Sequence, residues 1–227
     1  SFKGPFAKLV NKSNNSILRL FTLLRRLGLI SNFYSVTIVK NIPVFAGLGG
    51  GAANVATILK YLFKRKIRRS LLNQVEDRVG SDLKLFFYNQ GFMKNLGLIT
   101  NIKKKHKLFF LLIQPSVKCS TKEIYSRVKN YSKKKRLEEN RIKTQSKFIS
   151  YLSKNSNDLQ SIVEKKYPII KELLINIGNE KGCYFSRMTG SGSVCYGLFN
   201  NQIKAKKALN NLKTKYPKFW SSLAKTV

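Results

Sequence analysis

Apolar residues return every three or four positions between Asn15 and Leu27, at Ile17, Leu20, Phe21, Leu24 and Leu27. That spacing predicts an amphipathic helix with one buried stripe. Gly28 stands where a helix stop is wanted. The period then shortens: Phe33 to Val39, with the β-branched run Ser35 to Val39, predicts a strand. Helical spacing returns over Asn54 to Phe63 and again over Ser70 to Val79. Phe86 to Ile102 reads as short strands broken at Gly91 and Gly97. The unbroken apolar run Leu108 to Ile113, bounded by Lys107 and Pro115, predicts a buried strand. Ser120 with Glu123 has the capping-box spacing that opens a helix. Lys133 to Lys147 is charged enough to be an exposed helix or loop. Pro168 to Ile177, Gln202 to Tyr216 and Lys218 to Val227 complete a helix, helix, strand series.

Strands and helices mixed in this way predict an α+β protein, with no internal repeat and no long linker. A lobe boundary falls near residues 105 to 118. The 227 residues are 43% hydrophobic, enough for a real core and too many for wholesale disorder. The sequence has no apolar run long enough to span a bilayer, and SFKGPFAKLV lacks the apolar stretch of a signal peptide. Cys119, Cys183 and Cys195 are odd in number and show no paired spacing, which favours reduced thiols and argues against zinc. The expected compartment is the cytoplasm, or a plastid stroma-like one. His106, inside KKKHK, is expected on the solvated surface, and Trp220 in the core.

Charge complicates the picture. Lys and Arg total 44 against 10 Asp and Glu, a formal +34. Such an excess can mark a nucleic-acid surface. Here the lysines are spread along the chain, with runs only at Lys103 to Lys107 and Lys133 to Arg136, and without interleaved aromatics. The distribution argues against a nucleic-acid partner and for an AT-rich genome writing solvent-facing positions as lysine. A positive surface would in either case attract anionic nucleotides.

Candidate chemistry concentrates at NIPVFAGLGGGAANVATIL, residues 41 to 59. Gly47, Gly49, Gly50 and Gly51 stand between a β-branched run and a helical segment. Residues without Cβ allow close approach of an anion, and the following helix offers its unpaired N–H groups and positive dipole end. The alternative is a glycine turn that only lets a helix pack on a sheet. A Walker loop is excluded, because Ala52 and Ala53 stand where Lys and Ser/Thr are required. A relaxed dinucleotide fingerprint at Gly47, Gly49 and Ala52 wants an acid ending a second strand, whereas Glu76 and Asp77 lie in a helical pattern. A third pattern, Pro-x-x-x-Gly-Leu-Gly followed by small residues, fits at Pro43, Gly47, Leu48, Gly49 and Gly50.

That pattern resembles the ATP-binding loop of the GHMP kinases. YFSRMTGSGSVCYGLF (residues 184 to 199) resembles their C-terminal glycine motif at Gly190, Ser191 and Gly192. VGSDLKLF (residues 79 to 86) resembles the aspartate-bearing segment of one branch, and LLIQPSVKCSTKEIY and NDLQSIV follow in the expected order. The combination is similar to the branch acting on 4-diphosphocytidyl-2-C-methyl-D-erythritol in non-mevalonate isoprenoid synthesis. The resemblance implies a two-lobed fold, with an N-terminal ATP-binding lobe over residues 1–110, of the kind shared with a ribosomal small-subunit protein. A ferredoxin-like lobe would occupy residues 111–227. It implies ATP and Mg2+, a small-molecule substrate, no membrane partner, and a monomer or homodimer. Pro43, Val44, Phe45, Ala46, Gly47, Leu48, Gly49, Gly50, Gly51, Ala52 and Ala53 would cradle the ATP phosphates. Asp82 would take the substrate hydroxyl proton, although Gly80-Ser81-Asp82 also reads as a turn or helix N-cap. Gly190 to Gly192 would bring a second backbone to phosphate, and reads equally as a tight hairpin.

Departures from the family pattern set further expectations. Ala52 stands where the family commonly has a serine, and Ala53 where it often has one, whose hydroxyl could touch phosphate or magnesium, and Lys84 stands where the family usually has proline. The family's Pro-Ala-Lys-hydrophobic-Asn and Asp-Gly-Tyr-His motifs are not found, and Phe6-Ala7-Lys8-Leu9 only mimics the first. The resemblance thus implies that the N-terminal strands lie outside this chain, and with them a lysine that would assist transfer. Mevalonate- or homoserine-type GHMP kinases, and a non-catalytic homologue or basic nucleic-acid-binding protein, are the competing readings.

Overall fold

A computed structural model describes residues 1–64, 66–95, 98–132, 137 and 142–226. The chain forms two compact units, one from residues 1–44 and 49–103, the other from residues 45–48 and 104–227.

In the first unit, β1 (Phe2–Lys3) pairs in parallel with β2 (Ile38–Val39). The strand expected from Phe33 is therefore only two residues long. Its partner pairs through Phe2 and Lys3 alone and then turns away at Gly4, whose φ is +90°. Helix α1 (Ser16–Arg26) is capped by Asn15, whose side chain accepts from the amides of Ile17 and Leu18. It ends at Gly28, with φ +65°, as the sequence predicts. Ile17, Leu20, Leu23 and Leu24 are buried, while Leu27 is 38% exposed, so the stripe turns slightly from the expected one. Helix α2 (Gly50–Phe63) begins four residues before the predicted start, inside the glycines. Helix α3 (Arg69–Val79) follows, then a 3-10 helix Leu83–Phe87 where strand was expected from Phe86. The hairpin β3 (Gly91–Asn95) and β4 (Leu98–Asn101) closes the unit; the predicted break at Gly97 lies outside the described residues. Leu20, Leu24, Val55, Leu59, Val75 and Leu83 form its core.

The second unit is an antiparallel sheet in the order β6-β7-β5-β8, built from β5 (Phe109–Gln114), β6 (Cys183–Met188), β7 (Cys195–Phe199) and β8 (Trp220–Lys225). Along β5, Leu111 faces Gly197 on one side and Leu223 on the other. Helices α4 (Thr121–Ser126), α5 (Gln145–Ser153), α6 (Gln160–Lys166), α7 (Pro168–Gly178) and α8 (Gln202–Lys215) complete it. Ser120 caps α4 through the amide of Glu123, as its spacing predicts. Its core joins Leu111, Ile113, Ile170, Leu173, Ile177 and Phe199.

Two expectations are corrected here. His106 is buried rather than solvated: Nε2 lies 2.8 Å from the Ile142 carbonyl, and the ring stacks on Phe148 at 4.7 Å. Burial alternates here, with Lys105 and Lys107 exposed and His106 and Leu108 buried, so His106 shares the inward side with Leu108. Trp220 is only partly buried, near the end of the sheet. Most of the charged stretch from Lys133 falls outside the described residues; within it, α5 begins at Gln145. Among the described residues, no helix is long and apolar enough to cross a membrane.

Candidate active site

The N-terminus of α2 is open. Its N-cap is Gly49, in a left-handed conformation and with no side chain to bond the first amides, and the first helical bond runs from Ala53 N–H to the Gly49 carbonyl. Among the described residues, four other helices are capped by a side chain, that of Asn15, Ser120, Thr144 or Asn201. The first-turn N–H groups and the dipole of α2 are therefore directed at whatever stands before Gly50.

Asp82 stands beside this opening. A Cβ placed on Gly49 would lie 3.8 Å from Asp82 Oδ2, and 2.9 Å from the ring of Phe86. The 3-10 helix carrying the acid is pinned to α2 by fully buried Leu83, and Lys60 Nζ donates to the Phe86 carbonyl at 2.7 Å. Asp82 occupies the cap position of that short helix, yet its side chain makes no cap bond. The carboxylate is not used for local folding. Partial burial of the carboxyl, and then the negative charge of Glu76, raise its proton affinity above that of an ordinary aspartate, although the residue as a whole is exposed.

Glu76 is itself held by Lys84, with the two side chains only 12% and 11% exposed. The lysine that departs from the family pattern thus neutralises a buried acid next to Asp82. Lys84→Met should leave Glu76 uncompensated and cost about 3 kcal/mol, since breaking a largely buried pair from one side strands a charge. The same change should push the acid limb of the pH–rate profile upward, because Asp82 would face an unscreened Glu76. Urea denaturation and a pH–rate series check both.

Of the other residues expected in the cradle, Pro43, Val44 and Gly49 to Ala53 belong to the first unit with Asp82. Ala52 is buried in the core with Val55 and Leu59, whereas Ala53 is half-exposed. Phe45, Ala46, Gly47 and Leu48 belong to the second unit together with Gly190, Ser191 and Gly192. There the amides of Ser193 and Val194 donate to the carbonyls of Phe45 and Ala46 at 2.9 and 3.3 Å. Thr189 Oγ1 donates to the Gly47 carbonyl at 2.9 Å. Phe45 has φ +55°, a conformation that bulky residues rarely adopt unless their surroundings hold them there. Gln114 Nε2, at 3.2 Å from its carbonyl, adds to that hold. Gly190 to Gly192 form the turn of the β6–β7 hairpin, and Ser191 Oγ is spent on Thr121 at 2.9 Å. The turn braces the first half of the glycine segment, a pairing that sequence spacing alone cannot show.

The relaxed dinucleotide fingerprint is set aside, because Glu76 and Asp77 lie within α3 rather than at a strand end. Among the described residues, no three His, Cys, Asp or Glu side chains are grouped so as to hold a metal ion.

Residues 15–81 match the model of the GHMP kinases N-terminal domain, and residues 134–218 that of the GHMP kinases C-terminal domain. A 4-diphosphocytidyl-2-C-methyl-D-erythritol kinase of Pelagibacter ubique is 31% identical, over all of this chain and 81% of that protein. A protein of the same name from the Wolbachia of Brugia malayi is 31% identical, over 96% of this chain and 79% of that one. A crystal structure of 4-(cytidine 5'-diphospho)-2C-methyl-D-erythritol kinase superposes with a TM-score of 0.69 at 18% identity, covering 98% of this chain and 81% of that one. These findings define the class as a small-molecule kinase with the GHMP fold. The chain belongs to the GHMP kinases and, within them, to the 4-diphosphocytidyl-2-C-methyl-D-erythritol kinase family.

Proposed function

We propose that the protein transfers the terminal phosphoryl group of ATP to the 2-hydroxyl of 4-diphosphocytidyl-2-C-methyl-D-erythritol, a step of isoprenoid precursor synthesis. The reading is carried by a free, proton-attracting carboxylate beside an uncapped glycine-start helix. The amides of Gly50, Gly51 and Ala52 and the α2 dipole hold the phosphate chain, where a capping side chain would otherwise compete. Asp82 accepts the proton as the hydroxyl oxygen bonds to phosphorus and the bond to the ADP oxygen breaks. A carboxylate of raised proton affinity is better suited to that work than an ordinary aspartate. Magnesium, which neutralises phosphate charge when bound, would enter with the nucleotide, because Ala52 and Ala53 offer it no hydroxyl.

The test is phosphoryl transfer by the full-length protein from ATP, followed by phosphorus NMR, with the cytidyl substrate, mevalonate and homoserine compared. Transfer to the cytidyl substrate at least about 100-fold above the other two is expected, the margin that a missing set of polar partners produces. Transfer to mevalonate or homoserine instead would reassign the substrate. No ATP binding at all would remove the kinase reading.

A further inference from the structure

Lys40 precedes the glycine segment. Its amide donates to the Lys3 carbonyl at 2.7 Å and its own carbonyl accepts from Phe6 at 3.2 Å, so its backbone is fixed at the end of the β1–β2 ladder. From there the side chain reaches forward over the first turn of α2: Nζ lies 3.3 Å from the point a Gly50 Cβ would occupy. The residue is partly buried, and burial lowers the proton affinity of its amine. Residues 1–103 contain three acids, Glu76, Asp77 and Asp82. Glu76 is engaged by Lys84, and among the described residues none of the three forms an ion pair with Lys40. A half-buried ammonium without a counter-charge is costly to the fold, and this one sits over backbone amides that already favour an anion.

We infer that Lys40 is the phosphate-binding cation of the nucleotide site, its ammonium contacting the phosphate chain held by the first turn of α2. The inference rests on the kinase reading and adds to it a residue outside the Pro43 to Ala53 segment. A lysine suits the task as a compact point charge on a flexible stem. It also supplies from a side chain part of the hold that Ala52 and Ala53 lack.

Titration calorimetry of the full-length protein with ATP, tripolyphosphate and adenosine tests it. Lys40→Met, which keeps the stem and removes the charge, should weaken ATP and tripolyphosphate about 10- to 100-fold, the range of a hydrogen bond to a charged group. Adenosine affinity should stay unchanged, and Lys40→Arg should restore most of the ATP affinity. A second measurement needs no variant: amine acylation of Lys40, read by mass spectrometry, should be blocked by ATP or tripolyphosphate but not by adenosine. Equal weakening of ATP and adenosine in a folded Lys40→Met protein, or unprotected acylation at saturating ATP, would overturn the assignment. If the unsubstituted protein binds neither ATP nor tripolyphosphate, the kinase reading itself fails, which is a different result from a Lys40 variant that binds normally.

Discussion

Asp82→Asn is expected to lower turnover by about two to four orders of magnitude, the typical worth of a positioned base. ATP affinity should change little. The amide has nearly the shape of the carboxylate, so the 3-10 helix anchored by Leu83 and by Lys60 has no reason to move. What is lost is the ability to accept a proton. The pH dependence carries the same signature. The base works when ionised, and burial with Glu76 raises its proton affinity, so the acid limb of the unsubstituted enzyme should lie above that of an ordinary aspartate. Glu76→Gln should move that limb down. Stability should respond with the opposite sign. An acid whose proton affinity is raised by folding destabilises the fold as pH climbs through its titration. Asp82→Asn should therefore melt no lower than the parent at neutral pH, while being nearly inactive. A variant that keeps normal turnover would remove Asp82 from the role of base.

The second large effect is expected at Gly47. Its φ of +67° is costly for any residue with a Cβ, and a Cβ there would stand 2.4 Å from the Thr189 carbonyl oxygen and 3.0 Å from that of Gly192. The left-handed backbone alone costs about 1–3 kcal/mol. The clash adds to it, because both neighbours are backbone atoms that cannot swing aside. Gly47→Ala should consequently lose about 3 kcal/mol or more in denaturant unfolding, near the upper end of single-residue effects. The Thr189 bond to the Gly47 carbonyl should be lost with it. Unchanged stability in the Gly47→Ala variant would mean that the segment is not held as described.

Much of the scaffold was readable from residues alone. The apolar stripe and Gly28 bound α1, because periodicity and stop agree, while the Asn15 cap shows only in the structure. The start of α2 was not readable. Glycine is a poor helix former, so propensity points to Asn54, and tertiary packing of Ala52 and Val55 pulls the start back to Gly50. The strand expected from Phe33 failed for a related reason: alternation describes what a strand could bury, and only two residues found a partner. His106 was hidden by its lysine neighbours, whose charge masks an inward-facing alternate position. At the candidate site, the motif resemblance pointed to the glycines and to Asp82. Lys40 could not be singled out, because one cation among 44 Lys and Arg carries no signal until its neighbour in space is known. The Glu76–Lys84 pair, eight residues apart across a helix end, is likewise visible only in three dimensions.

The four residues from Phe45 to Leu48 give the second unit a discontinuous ancestry in the chain. A fragment starting at Lys104 would carry the whole sheet and yet leave the amides of Ser193 and Val194 without the carbonyls they bond. No single cut separates this molecule into two complete folding bodies. Domain exchange with a relative would have to transplant the short upstream strip together with the distant hairpin that holds it.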